Sequence, residues 1–190
     1  LINLGPSHKN GMVDFYWYPW LEKRDCFGMY IWDKKLAMPG DWHGRLAPRH
    51  EYIFHFKTGK QQAEKTVKAK GSKAWGKRSF RDKDGKTRPP HSPRDSIQPF
   101  KIPDSVVSIL KEIHNKTGHP AVFPVALAEF VINTWESSAL FEPFAGSGST
   151  LIACEKTNRK CYASEIDPHY CQVIIERWQE YTGKQACKVD

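Results

Sequence analysis

Between Ala139 and Tyr181 the chain reads as strand, glycine turn, helix, strand and helix, with few residues left over. "ALFEPF" is apolar apart from one acid, "AGSG" turns the chain, "STLIACEK" suits a helix, and "CYASEI" is a second strand-like run. "PHYCQVIIERWQEY" then opens on a proline and spaces its apolar residues for a final helix. Strands alternating with helices at these lengths build an α/β fold on a parallel sheet. The expected boundaries are strands at 139–144 and 161–166 and helices at 149–156 and 168–181.

At 190 residues the chain suits one domain, or one domain with an insertion, and needs neither disulfides nor a metal to hold a core. Five cysteines without a CxxC pair point to reduced thiols in a cytoplasmic protein, not to a disulfide framework or zinc ribbon. No apolar run approaches the roughly 20 residues of a membrane span. The chain divides into three stretches. Residues 1–56 are aromatic, with strands expected in "LINLG", "FGMYIWDKK" and "HEYIFHFKTG". Phe15, Tyr16, Trp17, Tyr18 and Trp20 read as core beneath a long loop rather than a base-stacking surface. His50 and Glu51 are adjacent on a strand and point to opposite faces, so they are no metal pair, and no metal is expected. Residues 57–105 have the composition of an insertion, basic and then Pro-rich. Residues 106–190 form the regular part, and its approach from Asp104 is regular too. "DSVVSILKEIH" offers Asp104 or Ser105 as the cap of a short helix. "HPAVFPVALAEFVINTW" places Pro124 near the start of a helix whose apolar face includes Val125, Leu127, Ala128, Val131 and Ile132.

Three ligand classes compete for the turn "EPFAGSGST". A phosphate-binding loop of the form GxxxxGK followed by Ser or Thr needs a lysine, and none is present. A dinucleotide fingerprint GxGxxG needs a third glycine where Leu151 stands. Glu142 lies just before the turn, where a phosphate would be repelled and a cation welcomed. Glu165 follows Gly146 by 19 residues, at the end of the next strand, where α/β folds set an acid against ribose hydroxyls. Glu142, Gly146, Gly148 and Glu165 together suit S-adenosyl-L-methionine, an adenosine that carries an ammonium and a sulfonium. The bland alternative is a tight strand-to-helix turn with nothing bound.

"EPFAGSGST" closely resembles the cofactor motif of the amino-group DNA methyltransferases, which modify adenine N6 or cytosine N4. Other segments fall in the order of that family's β-type arrangement. "GHPAVFPVALAEFVI" resembles the segment lining the methionine end of the cofactor, and "CYASEIDPHYCQVIIERW" the strand with the ribose acid and the helix behind it. "LINLG", "MYIWDKKLAMPG" and "RHEYIFHF" resemble the strands that follow the catalytic loop. The resemblance implies a Rossmann-like methyltransferase fold with an incomplete sheet. It gives cofactor roles to Glu142, Phe144, Ala145, Gly146, Ser147, Gly148, Thr150, Glu165, Ile166 and Asp167. His119, Pro120, Phe123 and Pro124 would wall the methionine side. Asp167 has an equally good reading as the cap of the last helix.

Members of the family work through a tetrapeptide of a polar residue, two prolines and an aromatic, which holds the exocyclic amine of an extruded base. None occurs here. "RPPH" lacks the polar and aromatic ends, and "DPHY" has His169 in place of the second proline and opens the last helix. No catalytic residue is assigned. In the β-type order that loop precedes Leu1, and its strand lies between the one ending at Phe144 and "LINLG". An N-terminal part or a second chain is therefore expected to supply it, and the 190 residues by themselves are expected to be inactive.

Between Lys57 and Arg88 there are 12 Lys or Arg against 3 acids, which leaves the rest of the chain near neutrality. The family inserts its target-recognition region here. Lys73, Lys77, Arg78 and Arg81 are expected on the phosphates of double-stranded DNA, with Trp75 stacking on a base. A solvated linker is the alternative. The implied reaction is site-specific methylation of DNA, with adenine N6 favoured over cytosine N4. A DNA-binding remnant without chemistry and an RNA methyltransferase are the rival readings.

Overall fold

The computed structural model describes residues 2–4, 7–9, 12–14, 21, 26–36, 47, 49–57, 59–60, 62–68, 80–81, 83–88, 100–111, 117–118, 122–135 and 137–189. The aromatic cluster at 15–20 lies outside them. The first strands are β1 (Ile2–Leu4), β2 (Ser7–Lys9), β3 (Met12–Asp14), β4 (Cys26–Asp33) and β5 (His50–Phe56). Residues 57–105 contribute β6 (Val67–Lys68), β7 (Phe80–Arg81), β8 (Thr87–Arg88) and β9 (Phe100–Lys101). Then come β10 (Val106–Ser108), α1 (Val125–Thr134), β11 (Ala139–Glu142), α2 (Ser149–Lys156), β12 (Lys160–Ala163) and α3 (Pro168–Thr182).

One sheet has the order β1-β5-β4-β10, and β11 pairs in parallel with β12 as a separate two-stranded sheet. The three strands expected in the aromatic stretch are all present, with β5 antiparallel to both β1 and β4. Asp33 ties β4 to the residue before β5 and to β10. Its carboxylate takes two hydrogen bonds from Arg49, one from the Lys35 N–H and one from Ser108 Oγ, which hold it well below the usual carboxylate range.

The helix expected in "DSVVSILKEIH" is a correction. Residues 106–108 form a strand parallel to β4, with Val107 buried and its neighbours exposed. Val106, Ile109 and Leu110 have helical spacing, but β4 offers a sheet edge that two adjacent β-branched residues fit better. The intended cap is used elsewhere, since the Ser105 carbonyl accepts the Ile31 N–H at 2.9 Å. Val107→Ala is expected to cost about 1–2 kcal/mol in urea unfolding, and Val106→Ala less than about 0.5 kcal/mol.

Two cores meet on α1. Leu127 joins Trp32, Ile53 and Val107, while Ala128 and Ile132 join Ala153 and Cys154. Neighbouring helix residues point about 100° apart, so one helix serves both sheets. Trp32 is fully buried and satisfies its indole N–H on the Ile109 carbonyl at 2.8 Å.

Candidate functional site

Both observed strands of the parallel pair stop short of their expected ends. β11 ends at Glu142 because Pro143 cannot continue the ladder, and β12 ends at Ala163, two residues before Glu165. The chain stays stitched beyond them. Ser164 N–H donates to the Glu142 carbonyl at 2.9 Å, and Ala145 N–H to the Ser164 carbonyl at 3.0 Å. The turn closes with the Gly148 N–H on the Ala145 carbonyl at 2.8 Å. Gly146 and Gly148 hold φ of 52° and 80°, the left-handed region in which a side chain is strained. A Cβ on Gly148 would also stand 3.2 Å from the Ile174 side chain on α3, so a side chain here would be crowded as well as strained.

The two acids grip the turn from either side. Glu142 accepts the Phe144 N–H on one oxygen at 3.1 Å and the Thr150 hydroxyl on the other at 3.0 Å. Its carboxylate therefore lies at the first turn of α2, the place where a helix would otherwise attract a phosphate. Glu165 accepts the Gly146 N–H at 2.7 Å on one oxygen, and the N–H groups of Ile166 and Asp167 at 2.9 and 3.0 Å on the other. Three backbone donors thus orient one carboxylate at the carboxyl end of a parallel strand pair, where α/β folds bind ligands. Behind the loop, burial pushes the Cys154 thiol up to about 12 and raises that of Cys161, so neither adds charge near the acids.

The remaining predicted residues sort by exposure. Ala145, Ser147 and Gly148 are buried in the turn, whereas Phe144 and Ile166 are 85% and 97% exposed beside it. Two bare apolar side chains flanking a polar cradle are suited to covering a flat, apolar ligand group. Phe123 packs against both cores, and Pro124 is buried as the residue preceding α1. Asp167 caps α3 by accepting the His169 N–H at 2.8 Å, the duty its sequence position offered. His119 and Pro120 lie outside the described residues. Two neighbours of the turn were not legible as site residues: Ser149, whose hydroxyl donates to the Phe123 carbonyl at 2.9 Å, and Arg177 on α3. Ser149 had the signal of standing inside the motif. Arg177 stands inside the segment 161–178, but nothing there singled it out from the rest of the helix, because its position depends on how α3 packs.

In the basic stretch, β6 and β9 pair as a short neck and β7 and β8 form a hairpin. The hairpin turn holds exposed Lys83, Asp84 and Lys86, with Gly85 at φ 75°. Arg81 lies in β7, and Lys73, Trp75, Lys77 and Arg78 lie outside the described residues. The neck is tied to the fold by the Glu64 N–H, which donates to the Thr134 carbonyl at the end of α1 at 2.7 Å.

Comparison with known proteins agrees with this arrangement. The family model N6_N4_Mtase, described as DNA methylase, matches residues 22–176. The orphan methyltransferase M.BamHII of Bacillus amyloliquefaciens is 32% identical over 145 residues, covering 69% of this chain and 54% of that protein. The cytosine-N4-specific PvuII DNA methyltransferase superposes with a TM-score of 0.66 at 17% identity, covering 93% of this chain and 62% of that one. The M1.HpyAVI complex with SAM superposes with a TM-score of 0.56 at 20% identity, covering 87% and 71%. The chain spans about half the length of the curated relatives it matches. Its α/β architecture is the methyltransferase fold, and by the extent of the family match the chain belongs to the DNA methylase family.

Proposed function

We propose that the chain is the cofactor-binding and target-recognition part of a site-specific DNA methyltransferase that uses S-adenosyl-L-methionine to methylate the exocyclic amine of a flipped base. The observation that carries this reading is Glu165, fixed by three backbone N–H groups, one of them from the glycine turn. A carboxylate held so firmly is ready to accept vicinal ribose hydroxyls. Glu142 sets a carboxylate beside the first turn of α2, where it repels a phosphate, and this favours a cationic nucleoside over ATP or a dinucleotide. Phe144 and Ile166 offer apolar surface to the adenine. When bound, S-adenosylmethionine supplies the electrophilic methyl group.

The catalytic tetrapeptide is absent from residues 1–190. We place it on a strand between β1 and β11, supplied by more of the same polypeptide or by a second chain. Among the described residues, β1 pairs with β5 alone and β11 with β12 alone, so each sheet presents an edge there. Phe141 and Tyr162 are cross-strand neighbours in the parallel pair and are 71% and 61% exposed. A parallel sheet covered on both faces would not leave them so. These 190 residues by themselves are then inactive, and the basic insertion contributes the salt-dependent grip on duplex DNA.

Calorimetry on the complete natural protein should show uptake of S-adenosylmethionine and none of ATP or NAD. Methyl transfer should reach duplex DNA in preference to structured RNA, and hydrolysis of the product should show N6-methyladenine or N4-methylcytosine. Arg78→Ala with Arg81→Ala should weaken DNA binding and flatten its salt dependence. Uptake of ATP or NAD without S-adenosylmethionine sinks the reading.

A further inference from the structure

Arg177 lies in the helix behind the ribose acid and the resemblance gives it no role in the cofactor site, yet its guanidinium sits behind the glycine turn. Nη1 donates to the Ser147 carbonyl at 2.9 Å and stands 3.4 Å from both the Ser147 and Ser149 hydroxyls. Ser147 and Ser149 are 4% and 3% exposed, so water does not replace this donor if it is lost. The Ser149 hydroxyl passes the connection on by donating to the Phe123 carbonyl. Ile174 lies three residues before Arg177, on the same face of α3, and closes against Gly148. One helix face thus meets the turn with a steric contact and a polar one.

The polar contact acts where the backbone is least constrained. Ser147 stands between two glycines of positive φ, and glycine permits several orientations of the peptides beside it. In the planar Ser147–Gly148 peptide, C=O and N–H point in opposite directions. Drawing the carbonyl toward Arg177 therefore turns the Gly148 N–H away from α3, where it meets the Ala145 carbonyl.

We infer that Arg177 is a positioning residue for the cofactor. It holds the Ser147–Gly148 peptide and, through Ser149, the Phe123 backbone in the arrangement that binds ligand. This inference rests on the S-adenosylmethionine reading. Arg177 touches no ligand; it lowers the ordering that binding would otherwise require. All three contacts come from Nη1 alone, so a lysine ammonium, itself a single nitrogen with three donors, can keep part of them.

The test is calorimetry with S-adenosylmethionine on the complete natural protein and its variants. Arg177→Met should bind about tenfold more weakly, as expected for a lost charge-assisted hydrogen bond. Arg177→Lys should fall between it and the wild type. Ser149→Ala should lose several-fold in affinity, and Glu176→Gln, on the exposed side of α3, should lose none. In turnover, KM for S-adenosylmethionine should rise in Arg177→Met by the same factor while kcat at saturation is retained. Wild-type affinity in Arg177→Met, or a fall in kcat with KM unchanged, overturns the inference. If Arg177→Met does not fold, Ser149→Ala decides: unchanged affinity overturns the inference and a several-fold loss upholds it. A wild type that takes up no S-adenosylmethionine removes the cofactor reading and this inference together, which separates the two failures.

Discussion

Glu165→Gln is expected to weaken S-adenosylmethionine binding about 100-fold, a loss of roughly 2.7 kcal/mol. The substitution keeps the shape of the side chain and changes its hydrogen-bonding inventory. Glu165 uses both oxygens as acceptors: one for the Gly146 N–H, the other for those of Ile166 and Asp167. An amide has a single acceptor oxygen, so its NH2 must face at least one of these backbone donors. Whichever way the amide turns, a donor meets a donor. The missing charge weakens the remaining bonds as well, since bonds to an ionised acceptor are roughly twice as strong. Asp167→Asn is the contrasting case. Asparagine caps a helix about as well as aspartate, and Asp167 is seen capping α3, so binding should stay close to normal. Calorimetry on both variants checks the pair. Equal losses would mean that Glu165 has no special place in the site.

Gly148→Val is expected to destabilise the fold by about 2–5 kcal/mol and to abolish cofactor binding at accessible concentrations. The two causes are independent. At φ 80° a β-branched residue is a backbone outlier. Its Cβ would also meet the Ile174 side chain at 3.2 and 3.4 Å, and the extra methyl groups would force α3 off the turn. Gly183→Ala separates the two causes. Gly183 has φ 69° but nothing within 4 Å of the point where a Cβ would stand, so it carries the backbone cost without the collision. It should lower stability by about 1 kcal/mol and leave binding intact. Thermal unfolding with and without S-adenosylmethionine distinguishes them, because a ligand bound to the native state raises Tm and Gly148→Val should lose that response.

The parts of the site that the chain announces are those whose chemistry is local. Two glycines in positive φ, Glu142 just before them and a helix beginning at Ser149 are neighbours in sequence as well as in space, and Glu165 follows one helix later at the end of the next strand. The strands of the aromatic stretch were legible for the same reason, since β-branched and aromatic runs bounded by turn residues suit a pleated sheet. Residues 106–108 were not. Their spacing fits a helix, and the deciding factor is the edge of β4, which lies more than 70 residues earlier. Arg177 fails to announce itself for a related reason. Many arginines lie on exposed helices, and this one matters through the rotation of α3 that also brings Ile174 onto Gly148.

A shared helix also determines how the molecule comes apart. Leu127 belongs to one core, and Ala128 and Ile132 to the other, so neither half can melt without stripping α1 from its partner. Heat should therefore disrupt both as a single cooperative event instead of two separate transitions. The insertion is tethered to the last turn of the same helix through Thr134. A tug on that arm would thus be transmitted along α1 to the end where the Phe123 carbonyl takes the hydroxyl of Ser149 beside the glycine turn.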